Sequence, residues 1–257
     1  MSEPSESYVL SEGYHDRAFW SGQLVHLGCT DPGARPNGQR KEVLDPFGLP
    51  VRSGHFAFHS KSKAFIRIVP AGGKANIPGI LRTRLKESEI KHVQRLVVNV
   101  DADEHVEGTP PAGQNLTLQQ LEALVREFDD HSTTNTDGDI EIYGGETKIT
   151  LVRWRAPDPA AQGIPHQQSL ERLICAALIA VYPNRAPAVQ TWLDSRPEAP
   201  PAGPKEFAWS YLAGWHADAG SYEGFCSMLW NNAQIVQQLR PRLEASGTWR
   251  VAEALAT

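Results

Sequence analysis

The chain has 257 residues, 40% hydrophobic and 21% charged, enough for one large domain or a domain with an appendage. Its formal net charge of -5 excludes a global pull toward nucleic acid, so any such contact needs a local basic patch or metal ions. Its three cysteines, Cys29, Cys175 and Cys226, are far apart without CxxC spacing, which argues for a reducing compartment and against a disulfide framework or a zinc site.

The first residues, MSEPSES, lack the apolar core of a signal peptide, and no stretch approaches the ~20 apolar residues of a membrane span. A cytoplasmic protein with no membrane partner is expected. In YVLSEGYHDRAFW (8–20) an apolar run stops at Glu12, a glycine follows, and apolar residues then recur at helical spacing. That predicts a strand, a sharp turn and a helix, with Glu12 at the turn and Asp16 in the first helical turn. Residues 28–64 are rich in Gly, Pro and basic side chains and read as a long irregular insertion. Its Arg35, Arg40, Lys41, Lys61 and Lys63 are candidate nucleic-acid contacts, set against a solvated loop whose charges do nothing. AFIRIVPAGG is a strand ending in two glycines, and KANIPGILRTRLKES is a helix. RLVVNVDADEH is a continuous apolar strand, expected to be buried on both faces, that ends at Asp101 and Asp103. A helix capped by Thr117 follows, then strands at IEIYG and TKITLVRWRA, then a largely buried helix, SLERLICAALIAVY, with Ser169 as N-cap. Strands alternating with helices predict an α/β fold with a parallel, doubly wound sheet. From about residue 185 helical pieces follow, broken by DSRPEAPPAGPK. Trp192, Trp209, Trp215 and Trp230 lie there and are expected to fill a helical core, with base stacking as the alternative.

In open parallel sheets ligands bind outside the carboxyl ends of the strands. Glu12, Asp101 and Asp103 fall at such ends, and Asp16 points back toward the same rim. Carboxylates gathered there would repel one another unless a cation is present, and hard oxygen ligands suit Mg²⁺ or Mn²⁺. Each acid alone reads as an ordinary loop or first-turn residue; together they point to a metal site. The histidines show no HxxxH or HExxH pattern that would compete.

EGYHD (12–16) after one strand and DAD (101–103) after a later one resemble the Toprim domain shared by topoisomerases, bacterial primases and OLD-type nucleases. The EGxxD form is similar to OLD-like and small stand-alone Toprim proteins. The resemblance covers residues 6–182, with 183–257 as a C-terminal helical cap. It implies a Rossmann-like sheet and a Mg²⁺- or Mn²⁺-dependent nuclease whose catalytic and metal residues include Glu12, Asp16, Asp101 and Asp103. PAGGK resembles the family's glycine-rich turn, which makes Gly72, Gly73 and Lys74 candidates for phosphate binding; a tight strand-to-helix turn is the alternative. Glu171 matches the further acid used for a second metal, or is a surface glutamate at a helix start. Lys205 matches a trailing catalytic lysine.

No GxxxxGK(S/T) motif is present, so a full OLD protein with its own ATPase is not expected. A topoisomerase, which would need a large tyrosine-bearing DNA-cleaving domain, and a stand-alone primase with a zinc-binding domain are likewise not expected. A haloacid-dehalogenase-like phosphatase wants DxDx(T/V) on its first strand, whereas DADEH lies on a later one. For a DxD-bearing sugar-nucleotide transferase nothing else speaks. The resemblance thus implies phosphodiester hydrolysis of nucleic acid, DNA ahead of RNA, in antiphage defence or DNA repair. The alternative is a non-catalytic Toprim-like subunit that binds a partner ATPase or nucleic acid.

Overall fold

The computed structural model describes residues 5–35, 40–86, 90–103, 116–159, 161–195, 208–213 and 219–257. Among them is a seven-stranded sheet in the order β2-β3-β1-β4-β7-β6-β5. The strands are β1 (Glu6–Ser11), β2 (Phe56–His59), β3 (Phe65–Pro70), β4 (Val93–Asp101), β5 (Thr133–Thr134), β6 (Asp139–Ile142) and β7 (Thr147–Trp154). β1 pairs in parallel with both β3 and β4. β2–β3, β5–β6 and β6–β7 are antiparallel, so the sheet is mixed rather than wholly parallel. The reason is local, since the links within these pairs are short and only antiparallel neighbours can be joined without a crossover.

The expected strands and helices around residues 8–20 and 64–154 are present. Helix α1 (Tyr14–His26) follows β1, and α2 (Ile77–Arg84) follows β3 after a 3₁₀ turn at Lys74–Asn76. Helix α3 (Leu118–Arg126) starts with a capping box in which Thr117 accepts from the Gln120 N–H. Alternate residues of each strand take opposite faces. Tyr8, Leu10, Leu96, Val98 and Val100 join Leu81, Leu121 and Val125 in one buried cluster. On the other parity, Asn99 accepts from Trp20 Nε1 of α1 at 2.9 Å, so this buried amide is satisfied beneath a fully buried indole. Leu96 to Val100 are all at most 1% exposed, which accounts for the unbroken apolar run.

The insertion 28–64 is not structureless. It contains β2, an edge strand whose Phe56, Ala57 and Phe58 are buried, and a bridge between Thr30 and His59. The buried Arg67 ties this segment down, with Nε 3.0 Å from Glu6 and Nη2 2.8 Å from Asp45.

Contacts divide the chain into one unit of Met1–Val100, Leu116–Val152 and Val251–Thr257, and a second of Asp101–Asn115 and Arg153–Arg250. This differs from a division at residue 182. Helix α4 (Leu170–Val181), capped by Ser169, falls with the later helices because it packs on α7 (Ala233–Ala245). The last residues fall with the first unit, where the Lys61 and Ser62 N–H groups donate to Ala256 and Thr257. Further C-terminal helices are α5 (Arg185–Asp194), α6 (Tyr222–Asn231) and α8 (Thr248–Ala256). Of the four tryptophans expected in a helical core, Trp230 is buried and Trp209 half-buried, but Trp192 is 54% exposed. Trp215 lies outside the described residues. Among the described residues no helix is long and apolar enough to cross a membrane.

Candidate functional site

In the first unit the turn after β1 is stitched to the turn after β3. Ser11 O accepts from the Ala71 N–H at 2.8 Å, and Glu12 O accepts from the Gly73 N–H at 2.9 Å. Gly73 has φ +122 and ψ 151, a conformation open to glycine alone, while a Cβ there would meet nothing within 4 Å. Backbone conformation, not crowding, therefore requires glycine at this position. Its own amide is directed at Glu12. Gly72, at φ +73, completes the turn. Lys74 Nζ lies 3.8 Å from Glu12 Oε2, so the expected base and the expected acid face each other.

Asp16 serves its own helix. Its Oδ2 accepts from the Gly13 N–H at 2.9 Å, which occupies a donor that the helix start would otherwise leave unmatched. A carboxylate here also suits the positive end of the helix.

In the second unit the DAD segment is stitched to the start of α4. Asp101 is buried, and its Oδ1 accepts from the Leu170 N–H at 2.9 Å. The Asp103 N–H donates to Gln168 O at 2.9 Å, and Asp103 Oδ1 accepts from Gln167 Nε2 at 2.6 Å. Glu171, next after Leu170, is 3% exposed, and its Oε2 has no hydrogen-bond partner among the described residues. It is therefore not the surface glutamate that a first-turn position suggests. The fully buried Arg172 donates to the carbonyls of Pro165 and Asp158 and fixes the loop ahead of the helix.

The predicted acids thus fall into two groups, Glu12 and Asp16 beside Lys74, and Asp101 and Asp103 beside the helix of Glu171. The register aligns Ser11 of β1 with Asn99 of β4, so Glu12 and Asp101 each extend a carboxyl end of two neighbouring parallel strands. The donors are all oxygens, and Glu171 Oε2 is a buried lone-pair site, which fits a hard cation in kind. The arrangement is not closed around an ion. Among the described residues no three His, Cys, Asp or Glu side chains are grouped to hold one.

The basic candidates are scattered. Arg40 is engaged by Asp31 at 2.7 and 2.9 Å and lies 4.4 Å from the Phe56 ring centroid, so its charge is largely spent within the chain. Arg35, Lys41, Lys61 and Lys63 are exposed. Lys205 lies outside the described residues. Sequence reasoning did not single out Gln167 and Arg172, which shape the Asp103 and Glu171 end. Nothing in the composition of 157–172 marks either one.

No family model and no curated protein sequence matches the chain. A solved structure does: that of the hypothetical protein PH0156 from Pyrococcus horikoshii, 16% identical, covering 98% of this chain and 100% of that one, with a TM-score of 0.67. At that identity the likeness shows the fold alone, an α/β Rossmann-like sheet flanked by helices, with further helices at the C-terminal end.

Proposed function

We propose that the chain is a Toprim-like, Mg²⁺- or Mn²⁺-dependent nuclease that hydrolyses phosphodiester bonds, with DNA as the first substrate to test. The observation that carries this reading is the parallel register of β1 and β4, which sets Glu12 and Asp101 at the carboxyl ends of neighbouring strands. Two features add support. Lys74 faces Glu12 and supplies a positive charge where a phosphate would approach. Glu171 keeps a buried oxygen without a partner one residue from the amide that Asp101 holds. A divalent ion bound by these carboxylates would acidify a water and offset phosphate charge. Asp101, Asp103 and Glu171 would hold it in the second unit. Within a larger system, such an activity suits antiphage defence or DNA repair.

One observation favours a second reading. Glu12, Asp16, Asp101 and Asp103 each already contact a partner within the chain, and no three-ligand group stands ready. A Toprim-like subunit that binds nucleic acid or a partner ATPase without turnover would need no more than this. Incubation of the purified chain with plasmid DNA and Mn²⁺ separates the two. The nuclease reading expects nicking or linearisation that EDTA stops and that Asp101→Asn reduces at least a hundredfold. The asparagine still accepts from Leu170, so its melting temperature should stay at or above that of the parent. A fully folded chain that leaves DNA and RNA intact in Mn²⁺ rejects hydrolysis.

A further inference from the structure

A cleft of about 500 Å³ opens within the first unit, with Tyr8, Tyr14, Arg52, His55, Pro70 and Arg84 among its walls. One of its walls is a turn. The His55 N–H donates to Arg52 O at 3.0 Å, and Gly54 sits at φ +86 between them. The turn is pinned to α1, because Gly54 O accepts from Arg17 Nη1 at 2.6 Å while the Arg17 guanidinium lies 4.0 Å from the Phe56 ring centroid. Arg84, at the end of α2, is held 4.9 Å from the ring centroid of Tyr8. Tyr14 is 59% exposed and lies beside Gly54 at the mouth. Among the described residues two arginines and a histidine line the cleft and no carboxylate does. On a chain of net negative charge that is a local concentration of one sign.

We propose that this cleft binds a phosphate of single-stranded nucleic acid, gripped by Arg52 and Arg84, with the Tyr14 ring as a platform for the adjoining base. Guanidinium forks match phosphate oxygens in geometry as well as charge. An exposed ring beside such a pair is the arrangement that holds single strands without reading their sequence. The volume lies within the roughly 300–1,000 Å³ of small-ligand sites, which takes one nucleotide and not a duplex. The direction also fits. Tyr14 is two residues beyond Glu12, and the cleft wall at Pro70 and Ala71 runs directly into Gly72, Gly73 and Lys74. A strand leaving the cleft therefore passes the turn where Lys74 faces Glu12. Burial, with Arg67, Arg52, Arg84 and Arg17 nearby, holds His55 at a pKa of about 4. Near neutral pH it is uncharged, and the attraction belongs to the arginines.

The inference takes nucleic acid from the preceding reading but does not depend on hydrolysis. Its test therefore runs in EDTA, by fluorescence anisotropy of a short labelled oligothymidylate. The expected result is salt-dependent binding that Arg52→Ala weakens about fivefold to tenfold, with the salt slope reduced by about 0.7, one single-strand phosphate contact. Arg52 is exposed, so this variant should fold as the parent does. Tyr14→Ala should weaken binding and leave the slope alone, because it removes stacking and not charge. Unchanged affinity and slope in both Arg52→Ala and Arg84→Lys overturns the proposal, as does the absence of binding by the parent. Equal affinity for a duplex overturns the single-strand assignment. Absence of cleavage by the parent in Mn²⁺, with oligonucleotide binding retained in EDTA, would instead count against the nuclease reading alone.

Discussion

His55 belongs to the turn that Arg17 pins, and its imidazole shares that environment with four arginines. Burial, then the charges of Arg67, Arg52, Arg84 and Arg17, lower its pKa from 6.5 to about 4. Between those two values the unfolded chain binds a proton that the native chain refuses, so stability should fall as pH drops through that window. Thermal melts from pH 7 to pH 4 should show this fall, with a shallower slope in His55→Gln; equal slopes would remove His55 as the cause. Asp101 allows a finer distinction. Asp101→Ala leaves the buried Leu170 N–H without an acceptor and should cost about 1–3 kcal/mol, whereas Asp101→Asn keeps an acceptor there and should not lower stability. Equal melting temperatures for the two variants would show that the amide finds another acceptor. At this scale Glu12, Asp101 and Asp103 were legible because acids interrupting apolar runs mark strand ends. The commitment of Asp16 to Gly13 was less so, since a capping carboxylate and a metal ligand occupy the same place in sequence.

Elements are held together in the first unit by a buried ion triad. Arg67 on β3 reaches Glu6 on β1 and Asp45 in the loop before β2. Burial opposes ionisation of Asp45, but the hydrogen bond from Arg67 and the amides of Leu49 and Phe47 hold its carboxyl below the usual range. Removing the guanidinium would strand two carboxylates, and loss of one partner of a buried pair costs about 3–5 kcal/mol. Arg67→Leu should therefore lower the melting temperature by roughly 10 °C at about 2–4 °C per kcal/mol in a chain of this size. Calorimetry showing a loss of a degree or less would mean that the triad is no better than an apolar replacement. Strand β2 was hidden because FAFH is only four residues within a Pro-, Gly- and Arg-rich segment, and its pairing with β3 is a tertiary fact. The cleft was hidden for a related reason. Arg52, His55, Pro70 and Arg84 come from three separate segments, and their gathering depends on the turn that Arg17 of α1 pins. The caps at Thr117 and Ser169, by contrast, are local chemistry and could be read directly.

For the whole molecule, an ion that binds the folded chain and not the unfolded one must raise its melting temperature. At a free concentration one hundred times the dissociation constant the gain is about 2.7 kcal/mol. Mn²⁺ should accordingly shift the melt upward by roughly 5–10 °C, EDTA should reverse the shift, and Asp101→Asn should diminish it. A melt indifferent to Mn²⁺ up to millimolar concentrations would leave the carboxylates as structural groups only. The α/β class was legible from the alternation of strands and helices. The division into units was not, because it depends on which helices pack together after long stretches of intervening chain.

That division bears on synthesis. The first unit begins with β1 and includes Val251–Thr257, whose last two carbonyls accept from Lys61 and Ser62 beside β2. A ribosome adding about 5–20 residues per second needs roughly 5–20 s to move from Val152 to Val251. During that interval the β2–β3 turn exists without its final partners, while the second unit is still being made. The Lys61 and Ser62 amides must stay hydrated through that time, so the β2–β3 turn takes its final hydrogen bonds only after the second unit has been made.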